Sequence, residues 1–362
     1  MNRWCDGLGR YGGTIAYMLN GSSGQAWAQV DTNFSLSTAN PRTGTHHLRL
    51  STAGTFARRC RRVFGAPLTE VFFGYAFYCD ALPDTESHGT TGGGQDGVEL
   101  ASFRDAANGL QCRVLLGSDG AIEVRNNGTG VLGRSLPIIG AGAYQHLEIY
   151  AKAGNSTAGA IEIRVDEITR LNLTGIDTVG TANVEFSQVA FGAEQGDDQP
   201  TMDYADFFCN DTTSDGSGCD TWIGDCKSGV LMVNADTAQA DFAKSSGSVG
   251  YSLLNEKPPV DAGYISTASS TAESYFGLEN GPASLSEILT IRPFIRGLKD
   301  DAGTCLIAPS MISNSVKATV SDQPITTAAA YYDSNVPVNP DTGVPWTPSE
   351  LNAALHVVER TA

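Results

Sequence analysis

The sequence of 362 residues has little charge, and the charge that it has is mostly of one sign. Charged residues make up 17% of the chain, and 40 aspartates and glutamates outnumber 23 lysines and arginines, which gives a net charge of −17. A chain this acidic repels phosphate backbones, so we expect no binding to nucleic acid. The longest apolar runs, such as residues 69–79, are far too short to cross a bilayer, so we expect no membrane insertion.

Several catalytic and metal-binding patterns are also missing. The chain contains no CxxC pair, serine elbow, phosphate-binding loop or dinucleotide-binding fingerprint. Of the five histidines, only His46 and His47 are adjacent, and neighbours in a strand point to opposite faces. We therefore expect neither these catalytic centres nor a metal site that both histidines share.

The N-terminus lacks a basic segment followed by an apolar core, so we expect no signal peptide and synthesis in a reducing cytoplasm. The eight cysteines are scattered, and most are expected to be buried as small apolar residues. Cys219 and Cys226 flank a short loop and form the one pair for which we consider a disulfide, under oxidising conditions.

The chain is rich in short segments of alternating apolar and polar residues and in glycine. Gly occurs 41 times, and apolar–polar runs are separated by turn signals such as Ser-Asp-Gly and Asn-Asn-Gly. This pattern predicts an all-β fold of antiparallel strands. Residues 184–211 are predicted to form two strands and an acidic loop, a hairpin that closes a β-sandwich. The clearest strand-like runs are residues 98–105, 110–120, 121–128, 144–154 and 159–175.

The last 25 residues contain a helix-start signal. Thr347 is followed by Pro348, and Glu350 comes three residues after the threonine. Threonine as the cap, proline at the first helical position and glutamate at the third are the elements of a capping box. The sequence therefore predicts a short helix from Pro348, followed by a final strand.

The block from Tyr144 to Thr178 is the most specific part of the chain. It combines a strand with a glutamate, a second strand that ends in Val-Asp, and a return that ends in Asp-Thr. It resembles the concanavalin A-like, or laminin G-like, jelly roll of tailed-bacteriophage structural proteins, a resemblance that extends over residues 1–212. The matching positions are Tyr144, His146, Leu147, Glu148, Ile149, Ile161, Ile163, Val165, Asp166, Leu171, Asp177 and Thr178, whereas Glu167 stands where the family has a turn residue.

Later motifs are similar to the connector and tail that follow the jelly roll in the same family. They are Trp222-Ile223-Gly224-Asp225, Asn234-Ala235-Asp236, Pro258-Pro259 and the segment around Trp346. We therefore expect a jelly roll over 1–212, a connector over 213–250 and a second, smaller β-rich domain over 251–362.

The resemblance implies a function. It predicts a structural component of a tailed-phage virion, either a tail or tail-tip fibre or a head-surface decoration protein, with no catalytic role. Its partners would be other virion proteins and further copies of itself, with a trimer as the leading expectation, and its location would be the virion. The alternative is a lectin-like adhesin that binds host surface glycans. Many weak sites in one particle would be sufficient for adhesion.

An acidic loop beside an aspartate-bearing strand suggests a calcium site. Asp197 and Asp198 lie in the loop, and Asp203 and Asp206 lie in the strand. Ca²⁺ requires six to eight hard oxygen ligands, which these carboxylates would help to supply. The competing interpretation is that the loop carboxylates are solvated and that the strand carboxylates point outward.

A glycoside hydrolase is the third and weakest hypothesis. It needs two carboxylates that flank one bond, and Glu162, Asp166 and Glu167 are the closest candidates. They lack the aromatic flanks of a sugar-cleaving strand, and Glu185 alone makes no pair. We therefore expect ordinary strand charges at these positions.

One basic cluster stands out in the acidic chain. It is the arginine run of residues 58–62, which Cys60 interrupts. Two interpretations stay open. The arginines contact an acidic neighbour in an assembly, or they are solvated charges that protect an edge strand from pairing.

Overall fold

A computed structural model of the chain describes residues 2–6, 8, 18, 27–42, 46–51, 58–83, 98–127, 130–193, 200–216, 218–256 and 261–362. Nearly all of the regular secondary structure in these residues is β-strand, as the alternating sequence predicts. In the part of the chain that the structure describes, no helix is long and apolar enough to cross a membrane.

The strands up to residue 210 build a jelly-roll β-sandwich. They are β1 (Asn2–Asp6), β2 (Trp27–Val30), β3 (Phe34–Ser37), β4 (His47–Leu50), β5 (Arg58–Leu68), β6 (Glu70–Cys79), β7 (Val98–Arg104), β8 (Leu110–Leu116), β9 (Ala121–Asn126), β10 (Val131–Pro137), β11 (Tyr144–Lys152), β12 (Gly159–Val165), β13 (Ile168–Ile176), β14 (Phe186–Ala193) and β15 (Met202–Asn210).

These strands form two antiparallel sheets. The eight-stranded sheet has the order β13-β12-β11-β6-β15-β4-β3, with β1 also paired to β15. The seven-stranded sheet has the order β10-β9-β8-β7-β14-β5-β2. The apolar residues of both sheets meet in one continuous buried core. The predicted fold class, an all-β concanavalin A-like sandwich followed by a smaller β-rich part, is therefore confirmed.

The strands after residue 232 form smaller sheets. Their bounds are β16 (Val233–Ala240), β17 (Ala243–Lys244), β18 (Ile265–Ser266), β19 (Glu273–Leu278), β20 (Phe294–Gly297), β21 (Leu306–Ile307), β22 (Ser310–Ser313), β23 (Val316–Lys317), β24 (Gln323–Pro324), β25 (Ala330–Asp333) and β26 (Leu355–Glu359). The largest of these sheets has the order β16-β19-β26-β22-β23, and the other strands pair in twos. A 3₁₀ turn, Tyr251–Leu253, and the helix α1, Pro348–Ala353, complete the described elements.

The helix α1 begins where the sequence predicts. Thr347 Oγ1 accepts a hydrogen bond from the backbone N–H of Glu350 at 3.3 Å, and Glu350 Oε2 accepts one from the N–H of Thr347 at 2.8 Å. This is a complete capping box with Pro348 at the first position, so the local prediction is confirmed.

The core of the sandwich is centred on Phe191 of β14. Its ring lies 5.8 Å from that of Trp27 on β2, which belongs to the same sheet. It lies 5.6 Å from Tyr75, 4.8 Å from Tyr204 and 5.1 Å from Phe207, all on the opposite sheet. These rings are fully buried, so they hold the two sheets together by apolar burial and aromatic contacts.

The strands β14 and β15 are not the predicted hairpin. β14 lies between β7 and β5 of one sheet, whereas β15 lies between β6 and β4 of the other. The chain therefore crosses from one sheet to the other between them. An alternating pattern specifies which face of a strand is buried but not which strand lies beside it, and this explains the error.

The predicted connector, residues 213–250, contains two strands of the C-terminal sheets. β16 starts at Val233 and pairs with β19, and β17 pairs with β18, so both strands belong to the C-terminal sheets. The segment between the sandwich and those sheets is residues 211–232, which we call the linker.

The cysteines are largely internal. Cys60, Cys112 and Cys209 are fully buried in the sandwich, as expected for small apolar side chains. Cys219 is also buried, with its Sγ 3.7 Å from the carbonyl oxygen of Leu289, and Cys226 is half-buried.

We predict that Phe191→Ala lowers the free energy of unfolding by about 3–5 kcal/mol, because it leaves a cavity between the two sheets. Urea denaturation followed by tryptophan fluorescence measures the change. Leu136→Ala is the matched control, because Leu136 is 80% exposed and its truncation should change stability by less than about 0.5 kcal/mol. Equal effects of the two substitutions would contradict the central role of Phe191.

Candidate functional site

The linker covers part of the outer face of the eight-stranded sheet. The ring of Trp222 lies 5.2 Å from that of Phe72 and 6.5 Å from that of Tyr150. The guanidinium of Arg164 lies over the same indole, 4.0 Å from its centroid. Stacking of this kind combines apolar burial with a cation–π attraction. Trp222 is thus an anchor that holds the linker against the sandwich.

A buried carboxylate fixes the backbone of the linker beside this anchor. Glu148 on β11 is 2% exposed, and its Oε1 accepts from the N–H groups of Ile223 and Gly224 at 2.9 and 3.1 Å. Burial raises the pKa of Glu148, and the two N–H donors oppose this rise without cancelling it. Glu148 therefore serves as a structural acceptor for the linker.

Asp206 on β15 is a second attachment point. It accepts from the N–H of Ser228 at 2.9 Å and from Arg42 Nη1 at 3.0 Å. Arg42 also pairs with Asp225 of the linker. Asp206 has a φ of 54° and lies at a bulge in β15, which gives its side chain a different direction from that in a regular strand.

Asp203 on β15 is held by an arginine and a histidine. Arg49 donates to both carboxylate oxygens, at 2.7 and 2.8 Å, and His47 Nε2 lies 3.0 Å from Oδ1. Burial raises the pKa of Asp203, but the hydrogen bonds from Arg49 and His47 outweigh it, so the pKa is lowered.

These contacts define where the predicted calcium ligands lie. Asp203 and Asp206 are buried and bound to arginines, and do not point into solvent. Asp197 and Asp198 lie outside the described residues. Within the described ranges, no group of three or more histidine, cysteine and carboxylate side chains could hold a metal ion. Calcium binding stays a prediction.

The carboxylates that were considered for glycoside hydrolysis, Glu162, Asp166 and Glu167, each hold a neighbouring group. Two of them fix backbone N–H groups, and one holds the arginine that stacks on the linker tryptophan. Their partners are Arg164 Nε at 3.0 Å from Glu162, the N–H of His146 at 2.8 Å from Asp166 and the N–H of Asp225 at 3.2 Å from Glu167.

The outer face of the seven-stranded sheet carries two arginines of the run, Arg59 and Arg61. Along β5, Cys60 and Phe64 point into the core, so Arg59 and Arg61 point outward. β5 is paired on both sides, with β14 and β2, so the edge-strand interpretation of the run is wrong. Arg62 is fully buried, with its guanidinium 5.6 Å from the centroid of Trp27.

Small residues on β14 form the floor of a shallow trough beside these arginines. Ala190 is paired with Arg61 on one side and with Ser102 of β7 on the other. Gly192 is paired with Arg59 of β5 on one side and with Glu99 of β7 on the other. Because the middle strand contributes little side-chain volume, the longer side chains of β5 and β7 become the walls.

A hydrogen-bond network joins the two walls of the trough. Glu99 Oε1 accepts from Ser102 Oγ at 2.6 Å and from Arg59 Nε at 3.3 Å. Arg104 Nε donates to the same serine hydroxyl at 3.3 Å, and its Nη1 donates to the carbonyl of Asn108 at 3.3 Å. The two guanidinium planes are thereby held in position.

A polar pocket opens at one end of the trough. Asp31, the one acidic residue among the described lining residues, accepts from Gln29 Nε2 at 2.7 Å and from the backbone N–H of Arg59 at 2.8 Å. Neutral amides and guanidinium groups therefore dominate its surface, which suits a ligand rich in hydroxyl or acidic oxygens. The lining residues are Gln29, Asp31, Arg59, Arg61, Arg104 and Asn108.

Sequence reasoning singled out the arginine run but missed the pocket. Gln29 comes from β2, Arg104 and Asn108 come from the end of β7 and the turn after it, and nothing local in the sequence links them to β5. The detectable signal was the alternation of arginine with Cys60, which indicates outward-facing arginines. The register that aligns Ala190 with Arg61 depends on long-range pairing.

No protein family matches the chain, and no curated protein matches it. Solved structures match at the level of the fold. An endo-β-1,4-glucuronan lyase from the fungus Trichoderma reesei is 14% identical, with 52% of this chain and 93% of that chain covered and a TM-score of 0.39. The alginate lyase Aly36B is 14% identical over 53% and 91%, with a TM-score of 0.37. The binding domain of Paraclostridial Mosquitocidal Protein 1 is 13% identical over 54% and 47%, with a TM-score of 0.37.

These structures correct one expectation. We predicted that the chain is not an enzyme. This exclusion is wrong, because several of the similar sandwiches are polysaccharide lyases. Their identities of 10–14% show a shared fold alone and transfer neither a substrate nor a catalytic residue to this chain.

We predict an acid-sensitive contribution from His146, which is 1% exposed and stacks on Phe208 at 6.0 Å. Burial lowers its pKa from 6.5 to about 4, so between these values the unfolded chain binds a proton that the folded chain does not. The free energy of unfolding should therefore fall as the pH drops from 6.5 to 4, by about 3 kcal/mol at most.

His146→Phe tests this contribution. Neither ring nitrogen of His146 has a hydrogen-bond partner among the described residues, so phenylalanine should fit and remove the titration. Urea denaturation at pH 7, 5 and 4 should show that the variant loses less stability on acidification than the unsubstituted protein. Parallel pH profiles of the two proteins would contradict the assignment.

Proposed function

We propose that the chain is an adhesive protein that binds glycans on the outer face of the seven-stranded sheet. The observation that carries the proposal is the pocket, where amide and guanidinium groups from β2, β5, β7 and the turn after β7 converge beside a trough. Sugars are recognised by several fixed donors and acceptors at once, and this pocket supplies them.

The two outer faces of the sandwich have different roles in this proposal. Trp222, Glu148 and Asp206 hold the linker on the eight-stranded sheet. No comparable attachment of the linker to the seven-stranded sheet occurs among the described residues. The linker is thus attached to one outer face, and we assign the ligand to the pocket on the opposite face.

We place this activity on a tailed-phage virion, which the sequence resemblance implies. On a particle the pocket would be repeated in many copies, so a weak affinity for a host surface glycan would be multiplied by multivalency. Glycan binding at this pocket does not require Ca²⁺, and a bound Ca²⁺ ion would be a separate feature.

A second candidate is a structural role in the assembly, with other virion proteins as partners. It is favoured by the linker, whose buried contacts through Trp222, Glu148 and the Arg42–Asp206 pair attach the C-terminal part to the sandwich. A fixed attachment of this kind would transmit load between two modules. The adhesive and structural roles are compatible in one fibre protein.

A glycan array tests the adhesive function. We expect the protein to bind a subset of bacterial surface glycans, and the double substitution Gln29→Ala/Asn108→Gly to weaken binding about tenfold because it removes two neutral polar groups from the pocket. Asn172→Ala, an exposed position on β13 of the other sheet, is the control and should leave binding unchanged.

Two readouts make the result decisive. Binding that survives the double substitution, or no binding to any glycan, would overturn the proposal. The same incubations are assayed for new reducing ends and for unsaturated sugar products, because the fold is compatible with catalysis. Product formation that the pocket substitutions abolish would replace the adhesive function with an enzymatic one.

We also predict a homo-oligomer, with a trimer as the leading expectation, since virion proteins commonly assemble with closed symmetry. Sedimentation velocity at micromolar concentration measures the mass, and the single chain of 38.1 kDa is the reference. A monomer across the concentration range would contradict this prediction without affecting glycan binding.

A further inference from the structure

One arginine of the pocket, Arg61, has no carboxylate partner among the described residues. Arg61 Nε is buried and has no hydrogen-bond acceptor, and no carboxylate among the described residues lies within ion-pair distance of its guanidinium. A buried donor without an acceptor costs about 1–3 kcal/mol. A bound acceptor would remove this cost, so Arg61 is the natural point of attachment for a ligand.

The neighbours of Arg61 are arranged differently. Arg59 donates to Glu99, and Arg104 donates to Ser102 and to a backbone carbonyl, so both are fixed by the protein itself. The carboxylate of Asp31 accepts from Gln29 and from a backbone N–H. The pocket therefore contains two guanidinium groups held in place and one that lacks a partner.

A guanidinium group prefers a particular kind of acceptor. Its planar fork of N–H donors fits the oxygens of a carboxylate or a sulfate, and such charge-assisted bonds are stronger than those to neutral hydroxyls. Arg61 lies beside Ala190 of β14 and lines the polar pocket, so its guanidinium group is within reach of a ligand there.

The charge of the whole chain limits the ligand further. A net charge of −17 repels a long polyanion at distances up to about the Debye length of 8–10 Å, whereas a single acid group is attracted at contact range. Glu99 and Asp31 add negative charge within the trough and pocket. One acidic sugar among neutral ones fits this field better than a uniformly charged polymer.

Resting on the glycan-binding function above, we propose that Arg61 binds the acid group of an acidic sugar that is flanked by neutral sugars. The neutral sugars lie against Gln29 and Asn108. Arg61 thus selects an oligosaccharide that carries an acid group. The other groups of the pocket contribute affinity for its neutral sugars.

The experiment uses matched oligosaccharides and the full-length protein. Each probe has neutral sugars and one glucuronate, and its counterpart has the same sequence with that carboxyl reduced to the alcohol. Titration calorimetry should show binding at least about tenfold weaker for the reduced counterpart. A third version carries a sulfate in place of the carboxylate and identifies which acid group is preferred.

A substitution cycle assigns the effect to Arg61. In Arg61→Gln, the acidic and reduced probes should bind with equal affinity, whereas Arg134→Gln should retain the difference. Arg134 lies on β10 of the same sheet, is 45% exposed and pairs with Asp119, so it is a suitable control. Arg61 pairs with no described carboxylate, so glutamine should preserve the fold, which thermal melting verifies.

The outcomes separate the inference from the function that it rests on. Equal binding of the acidic and reduced probes to the unsubstituted protein would overturn the inference and leave glycan binding intact. Absence of binding to every probe and to the array would overturn both. An affinity per acid group that is higher for an all-uronate polymer than for the single-acid probe would overturn the requirement for neutral neighbours.

Discussion

The sandwich depends on a small group of aromatic rings between its sheets. Phe191 contacts Trp27 on its own sheet and Tyr75, Tyr204 and Phe207 on the other. β14 and β15 therefore each occupy a central position in one sheet and pack against each other through the core. The outward side chains of both sheets, including the pocket arginines and the linker contacts, are positioned by strands that this cluster holds at a fixed separation.

Buried polar groups make the attachment of the linker specific. Glu148, Asp206 and Arg42 are largely removed from water, and each has hydrogen bonds to the linker or to one of its residues. Loss of one partner in such a buried ion pair typically costs about 3–5 kcal/mol, since the other charge stays buried. The apolar stacking of Trp222 supplies contact area, and the polar bonds select a single position for it.

Local features of the fold could be predicted from the sequence, and long-range ones could not. The capping box at Thr347 needs only residues within one turn, and it is present as predicted. Asp206 and Asp203 meet Arg42 and Arg49 across 164 and 154 residues, respectively, so their burial had no local signal. The calcium prediction considered the acidic residues without these distant partners.

The same limit applies to the candidate site. The alternation of Arg59, Cys60 and Arg61 indicates outward arginines, and this part of the interpretation could be made from the sequence. Whether β5 lies at an edge or inside a sheet depends on its pairing with β14 and β2, which are far away in the chain. The trough depends on the register of β14 and β5, which pairs Ala190 with Arg61.

The separation of the linker from the arginine-bearing face has an evolutionary consequence. Gln29 and Arg61 lie on a different sheet from Glu148 and Asp206, and Asn108 lies in a turn of that different sheet. Trp222's aromatic partners, Phe72 and Tyr150, are on the same sheet as Glu148. In the proposed glycan-binding role, selection for a new ligand would change the pocket and leave the linker contacts on the other sheet intact. Recognition would then diversify without loss of the contacts that attach the C-terminal part to the sandwich.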